Sequence, residues 1–203
     1  MAINYQQTYI HWNYYLAIEN DFRKLSRYIE FTKANDSTFS IELARIIMAG
    51  TQETDGIMKK ICKFIQPGSN PKNIKEYRSI IKEKLPRFVD ETVEIEVYGM
   101  KSKPWSKWKK NIEDNSPEWW IANNGLKHDR TQNFEKANLK NAYNCVGALL
   151  ISTLYLYKLE IEAKNNRTIS WPDLTSLLKS ENSLFKLKAE YYNQDFTWAA
   201  IEW

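Results

Sequence analysis

Apolar positions recur at intervals of three and four over most of this chain. From His11 through Tyr15, Ile18, Phe22 and Leu25 to Ile29, the steps are four, three, four, three and four. That spacing lays the six side chains along one face of a helix, with Asp21, Arg23, Lys24 and Arg27 off it. The break TKANDST follows, and Asp36, Ser37 or Ser40 can accept from the free N–H groups that open the next helix. Leu43, Ile47, Thr54, Ile57, Ile61 and Ile65 predict that second helix, and PGSNP (67–71) ends it. Gly50 interrupts the pattern. A glycine inside a helix costs about 1 kcal/mol relative to alanine, so close packing or a bend is expected there. Ile74, Tyr77, Ile81 and Leu85 mark a third helix, which should stop before Pro86 because a residue preceding proline is pushed out of helical geometry.

The period then changes. In ETVEIEVYG, Val93, Ile95 and Val97 alternate with Glu94 and Glu96, the pattern of a half-exposed strand. One short strand needs a partner, expected around Lys101 to Trp108 as a hairpin. Ser116-Pro117-Glu118 reads as a helix start, with serine as cap and proline at the first helical position. This short helix bears Trp119 and Trp120 and is expected to run out near Asn124-Gly125. On a helix the two indoles point about 100° apart, so one is expected to be buried and the other partly exposed.

Asn133 can cap a long helix through Leu159, striped by Leu139, Ala142, Val146, Leu149, Thr153 and Leu156. Its stretch AYNCVGALLISTLYLYKL approaches the length of a membrane span. Asn144, Ser152, Thr153 and three tyrosines interrupt it, and a central buried helix is the expected role. Ser170-Trp171-Pro172-Asp173 starts one more helix before an irregular aromatic tail ending in Trp203. The reading is mainly α: one domain over 1–203, a bundle of long antiparallel helices with a β insertion at about 91–110 and a C-terminal tail at about 166–203.

Composition agrees with a packed domain. Of 203 residues, 43% are hydrophobic and 14% aromatic, which excludes a disordered chain. The net charge of +4 permits an anionic partner without requiring one. Cys62 and Cys145 fall inside apolar helical patterns and read as buried thiols, which suits a reducing compartment. The amino-terminal residues show no signal-peptide pattern, and a cytoplasmic location is expected.

Much chemistry is excluded. Six glycines leave no phosphate loop or dinucleotide fingerprint, and no HExxH set or GxSxG elbow occurs. No metal or cofactor is implied. Two features remain. In KSKPWSKWKK, Lys101, Lys103, Lys107, Lys109 and Lys110 interleave with Trp105 and Trp108. Lysines can neutralise phosphates and indoles can stack on bases, although exposed lysines around inward-pointing tryptophans would give the same sequence. The second is EWWIANNGLKHDR, 118–130. His11 lies on an apolar face and reads as a satisfied core residue, whereas His128 sits in a polar turn beside Lys127, Asp129 and Arg130. Histidine suits proton transfer at neutral pH, Arg130 or Lys127 can steady charge on a phosphoryl group, and Asn123 and Asn124 can orient an oxygen. Such a set can cleave RNA without a metal. The plain alternative is a loop in which Asp129 and Asn124 cap helices.

The run of Asn124, Leu126 and His128 before a long helix rich in alanine and leucine resembles the HEPN superfamily (higher eukaryotes and prokaryotes nucleotide-binding domains). The layout PEWWxxNxxxKHxR, preceded by PWxxW, looks like a prokaryotic branch of that group. The family's signature is an arginine, four to six residues, then a histidine, often with asparagine directly after the arginine. Asn124 and His128 match the asparagine and the histidine. Asn123, Ala122 and Ile121 occupy the arginine's three allowed positions, and the nearest arginine is Arg130, beyond the histidine. The likeness covers roughly Tyr9 to Leu159. It implies a helical bundle, a homodimer with facing motifs, and RNA as partner. It further implies metal-independent ribonuclease activity in toxin–antitoxin or antiphage systems, with an antitoxin or defence-system subunit as partner protein. Glu53 or Asp55 on the second helix could supply the acidic residue of such a site. The competing expectation is a non-catalytic, dimerising helical scaffold or regulator that binds a partner protein through its tryptophan-rich surface.

Overall fold

The computed structural model of the chain describes residues 8–109 and 115–193. Among them are seven α-helices and one two-stranded antiparallel sheet, the mainly α fold with a small hairpin that the periodicity predicts. The helices are α1 (Ile10–Leu25), α2 (Ile41–Ile65), α3 (Ile74–Lys84), α4 (Glu118–His128), α5 (Arg130–Asn133), α6 (Leu139–Asn165) and α7 (Trp171–Leu178). Ser40 caps α2, its hydroxyl accepting from Leu43 N at 3.1 Å. Asn73 caps α3, which gives way at Leu85 just before Pro86.

The long helix starts later than its sequence suggests. Asn138, not Asn133, caps α6 by accepting from Asn141 N at 3.0 Å, and the helix continues past Leu159 to Asn165. Asn133 instead closes the one-turn α5. Every residue from Cys145 to Tyr157 is buried, so α6 is apolar all round because protein surrounds it on all sides. Helices α1, α2, α4 and α7 and the hairpin all pack on it. No helix among the described residues is long and apolar enough to cross a membrane.

Contacts near their ends give the directions of the long helices. Thr38 and Ser40 exchange backbone hydrogen bonds with Leu139 and Ala137, so α2 and α6 begin side by side. Further along, Cys145 Sγ lies 3.6 Å from Ile47 O. The two longest helices therefore run the same way. Helix α1 runs against them: His11 near its start meets Glu53 and Lys60 of α2, while Asp21 near its end lines a groove with Glu42 and Arg45.

The hairpin is shorter than the alternation of residues 93–97 predicts. Strand β1 (Val93–Ile95) pairs with β2 (Met100–Ser102), Glu94 opposite Lys101. Val97 has left the strand and is 78% exposed. Gly99, at φ 60°, makes the left-handed step that lets the chain reverse so tightly. The sheet presses on α6 at Gly147, where a Cβ would stand 2.5 Å from Val93 Cγ2.

As far as Asn193 the C-terminal segment is tied to the rest of the fold. Lys186 and Glu94 exchange backbone hydrogen bonds at 2.9 Å, adding one bridge beside the hairpin. The buried Glu19 carboxylate accepts from Tyr15 Oη at 2.5 Å, from Phe185 N at 3.1 Å and from Ser183 Oγ. Buried Glu91 accepts from Tyr155 Oη at 2.7 Å and from Tyr191 Oη, with Arg87 Nε 3.4 Å away. Two buried carboxylates thus fasten this segment to α1 and α6, each surrounded by donors, as burial of a charge requires. Trp203 lies outside the described residues.

Candidate functional site

Helix α4 does not end at Asn124-Gly125. It continues through Gly125 to His128, and Asn133 packs on Gly125, its side chain 2.8 Å from where a Cβ would stand. Pro117 rather than Ser116 holds the cap position, and its carbonyl accepts from Trp120 N and Ile121 N at 3.0 Å. His128 is therefore the last residue of a helix and not part of a free turn. Asp129 caps α5 by accepting from Gln132 N at 3.1 Å.

This placement sorts the candidate residues. Asn124, Lys127 and His128 are three and four residues apart, which puts them on one helix face. All three are exposed, as is Arg130 at the start of α5. Lys127, His128 and Arg130 have no hydrogen-bond or ion-pair partner among the described residues. Asn123 is different. It is buried, its Oδ1 has no partner among the described residues, and it faces the core where it cannot orient a substrate oxygen. Ala122, at another position where the family keeps its arginine, is also buried.

The expected division between Trp119 and Trp120 is not found. Trp119 is fully buried and donates from Nε1 to Pro104 O at 3.1 Å, and Trp120 is only 8% exposed. The two rings meet edge to face with centroids 5.6 Å apart. Because α4 is wedged between α2, α6 and the segment after the hairpin, both indole directions meet protein. No aromatic platform exists at these positions.

What lies beside Arg130 was not legible from the motif. Ile41, Arg130, Thr131 and Phe134 line a cavity of about 320 Å³. Phe39 and Phe134 pack edge to face at 5.4 Å, leaving Phe39 49% and Ile41 63% exposed. The signal available was that Phe39 and Ile41 are large apolar residues off the α2 stripe. Position Ile41 also measures the distance to the acidic candidates. Glu53 and Asp55 stand 12 and 14 residues beyond it, roughly 18–21 Å at 1.5 Å per residue. They are engaged elsewhere: Asp55 with Lys59 at 2.5 Å and Tyr77 Oη at 2.8 Å, Glu53 with His11. Neither joins the His128 surface within one chain.

His11 is held from both sides. Its Nδ1 lies 2.5 Å from Glu53 Oε1 and its Nε2 2.7 Å from Lys60 Nζ, with the side chain 12% exposed. An ammonium can only donate. The ring therefore accepts at Nε2 and donates from Nδ1 to the carboxylate. Tyr157 Oη accepts from His11 N at 3.0 Å and joins the turn to α6.

The lysine-tryptophan stretch divides as well. Trp105 and Trp108 are fully buried, their rings 4.4 Å apart and packed with Phe88. Neither offers a face to a base, which corrects the stacking expectation: a hairpin edge on so small a sheet needs large side chains beneath it. Lys107 pairs with Glu118 and Lys109 with Asp90. Lys101 pairs with Glu94 at 3.2 Å, and Lys103 is exposed. Lys110 lies outside the described residues. No group of three or more His, Cys, Asp or Glu side chains capable of holding a metal occurs among the described residues.

Compared with models of known protein families, with curated proteins and with solved structures, the chain matches none.

Proposed function

We propose that the protein is an RNA-interacting helical domain of HEPN type that cleaves RNA without a metal at the outer end of α4. The observation that supports this reading is that Asn124, Lys127 and His128 share one exposed face of α4 and Arg130 is exposed two residues beyond it, with Lys127, His128 and Arg130 unpartnered among the described residues. In the reaction, His128 takes the 2′-hydroxyl proton and the oxygen attacks phosphorus. The bond to the 5′-oxygen breaks, a proton returns to that oxygen, and a 2′,3′-cyclic phosphate is left. Arg130, with Lys127, steadies the charge on the phosphoryl oxygens, in place of the arginine that the family carries before its histidine. Toxin–antitoxin or antiphage defence is the setting we infer from the family resemblance.

The test is cleavage of single-stranded and transfer RNA in the presence of EDTA. Wild type should cut, His128→Ala should not, and Arg130→Ala should be slower by about 100- to 1,000-fold. Circular dichroism should show both variants folded, since both side chains are exposed. Wild type leaving both RNAs intact, or His128→Ala unfolding, would sink the proposal.

One observation favours a second reading, a non-catalytic dimerising scaffold or regulator. Phe39 and Ile41 form an exposed apolar patch beside Arg130, of the kind that interfaces cover. Under this reading the basic residues at the end of α4 complement the helix dipole and edge a protein contact.

A further inference from the structure

A cavity of about 420 Å³ lies away from α4, between the turn after α1, the hairpin and the start of α6. Three lysines line it from three separate elements: Lys33 from the turn, Lys101 from β2 and Lys140 from α6. Only Lys101 has a carboxylate partner, Glu94, and Lys33 and Lys140 have none among the described residues. Asp36 is the single acid in the lining. With Lys101 matched by Glu94, Asp36 alone stands against Lys33 and Lys140, and the net positive lining favours a bound anion. Ser102 also lines the cavity, with its Oγ buried beneath the surface beside Tyr143.

We propose that this cavity binds a small hydroxyl-bearing organic phosphate, such as a sugar phosphate or a nucleoside monophosphate. The Lys33 and Lys140 ammonium groups supply the point charges that a phosphate dianion takes, where a carboxylate would need only one. Asp36 accepts only and repels phosphate, so it suits a ligand hydroxyl and orients the molecule with phosphate toward the lysines. Tyr98 and Met100 give the cavity an apolar wall, and its volume exceeds what a bare phosphate fills. The α6 amino terminus plays little part, since Leu139 N and Lys140 N already donate to Thr38 O and Asp36 O. This site is separate from the His128 surface.

Isothermal titration of the whole chain with ribose 5-phosphate and uridine 5′-monophosphate tests the proposal, against inorganic phosphate, ribose and uridine. At least one ester should bind more tightly than inorganic phosphate, and the unphosphorylated compounds should not bind. A Lys33→Glu, Lys140→Glu double variant should lose tenfold or more in affinity, about the worth of a charge-assisted hydrogen bond. It should stay folded by circular dichroism, because both side chains are exposed. His128→Ala should bind the ester normally, whether or not the chain cuts RNA. Three outcomes would overturn the proposal: no ester binding at millimolar concentration, inorganic phosphate binding as tightly as the esters, or the double variant binding unchanged.

Discussion

Gly50 and Cys145 set the distance between α2 and α6. A Cβ on Gly50 would stand 2.8 Å from Cys145 Sγ, closer than nonbonded atoms tolerate. The sulfur has little room to retreat, since it is buried against Ile47 O and Thr51 Oγ1, each 3.6 Å away. Two parallel helices thus meet at a position with no side chain.

Gly50→Ala should therefore destabilise the protein, although alanine is the better helix former by about 1 kcal/mol. Overpacking of this kind costs about 1–3 kcal/mol, which outweighs the propensity gain. Urea unfolding of Gly50→Ala, Cys145→Ala and the double variant checks the cause. The double variant should be more stable than the sum of the two single losses, because removing the sulfur opens the space that the methyl needs.

Glu91→Ala should cost about 2–5 kcal/mol, since it strands the Tyr155 and Tyr191 hydroxyls without their buried acceptor. Glu91→Gln keeps an acceptor oxygen and should cost less. Because Tyr191 belongs to the C-terminal segment, limited proteolysis of Glu91→Ala should cut first between residues 180 and 192. Cleavage no faster than in wild type would show that Glu91 does not hold the segment down.

The two thiols predict an alkaline limit. Burial pushes Cys62 and Cys145 up to about 12, from an ordinary value of 9.0. The folded state then holds these protons where the unfolded chain has released them. Stability from this source is complete below about pH 9 and falls as pH rises toward 12, by up to about 1.4 kcal/mol per pH unit for each thiol. Urea midpoints measured from pH 8 to 11 should stay level and then drop. At pH 8 a thiol reagent should modify neither cysteine until denaturant is added.

Association is expected through the Phe39–Ile41 patch. A two-fold contact there brings each Arg130 near its copy and doubles the positive field offered to RNA. Light scattering at high micromolar concentration should give twice the monomer mass, and Ile41→Glu should return the monomer. A monomer mass for wild type would remove the dimer from the proposed mechanism.

Local rules were enough for the helices whose signals are local. Ser40 caps α2, Pro86 ends the path of α3, and Gly50 marks a close contact, each because one side chain acts within a few residues of itself. The same holds for the buried fate of the apolar stretch in α6, which carries too many polar groups for lipid. Where two local signals competed, only packing chose. Gly125 reads as a helix end, yet α4 passes through it and the glycine serves instead as the place where Asn133 packs.

The candidate site divides along the same line. The sequence marked Asn124, Lys127, His128 and Arg130 but put His128 in a polar turn beyond the helix; the continuation of α4 to His128 sets Asn124, Lys127 and His128 on one face. The sequence could not say that Asn123 faces inward, since neighbouring positions on a helix differ by only about 100° and the neighbours decide which direction is core. Trp105, Trp108, Trp119 and Trp120 are the clearest case. An indole is as suited to a base as to a core, and these four are buried because the hairpin and α4 close over them. The lysine cavity and the Phe39–Phe134 contact join residues about 100 apart in the chain. No periodicity reports such a meeting; it exists only because α2 and α6 start together and the turn after α1 folds across them.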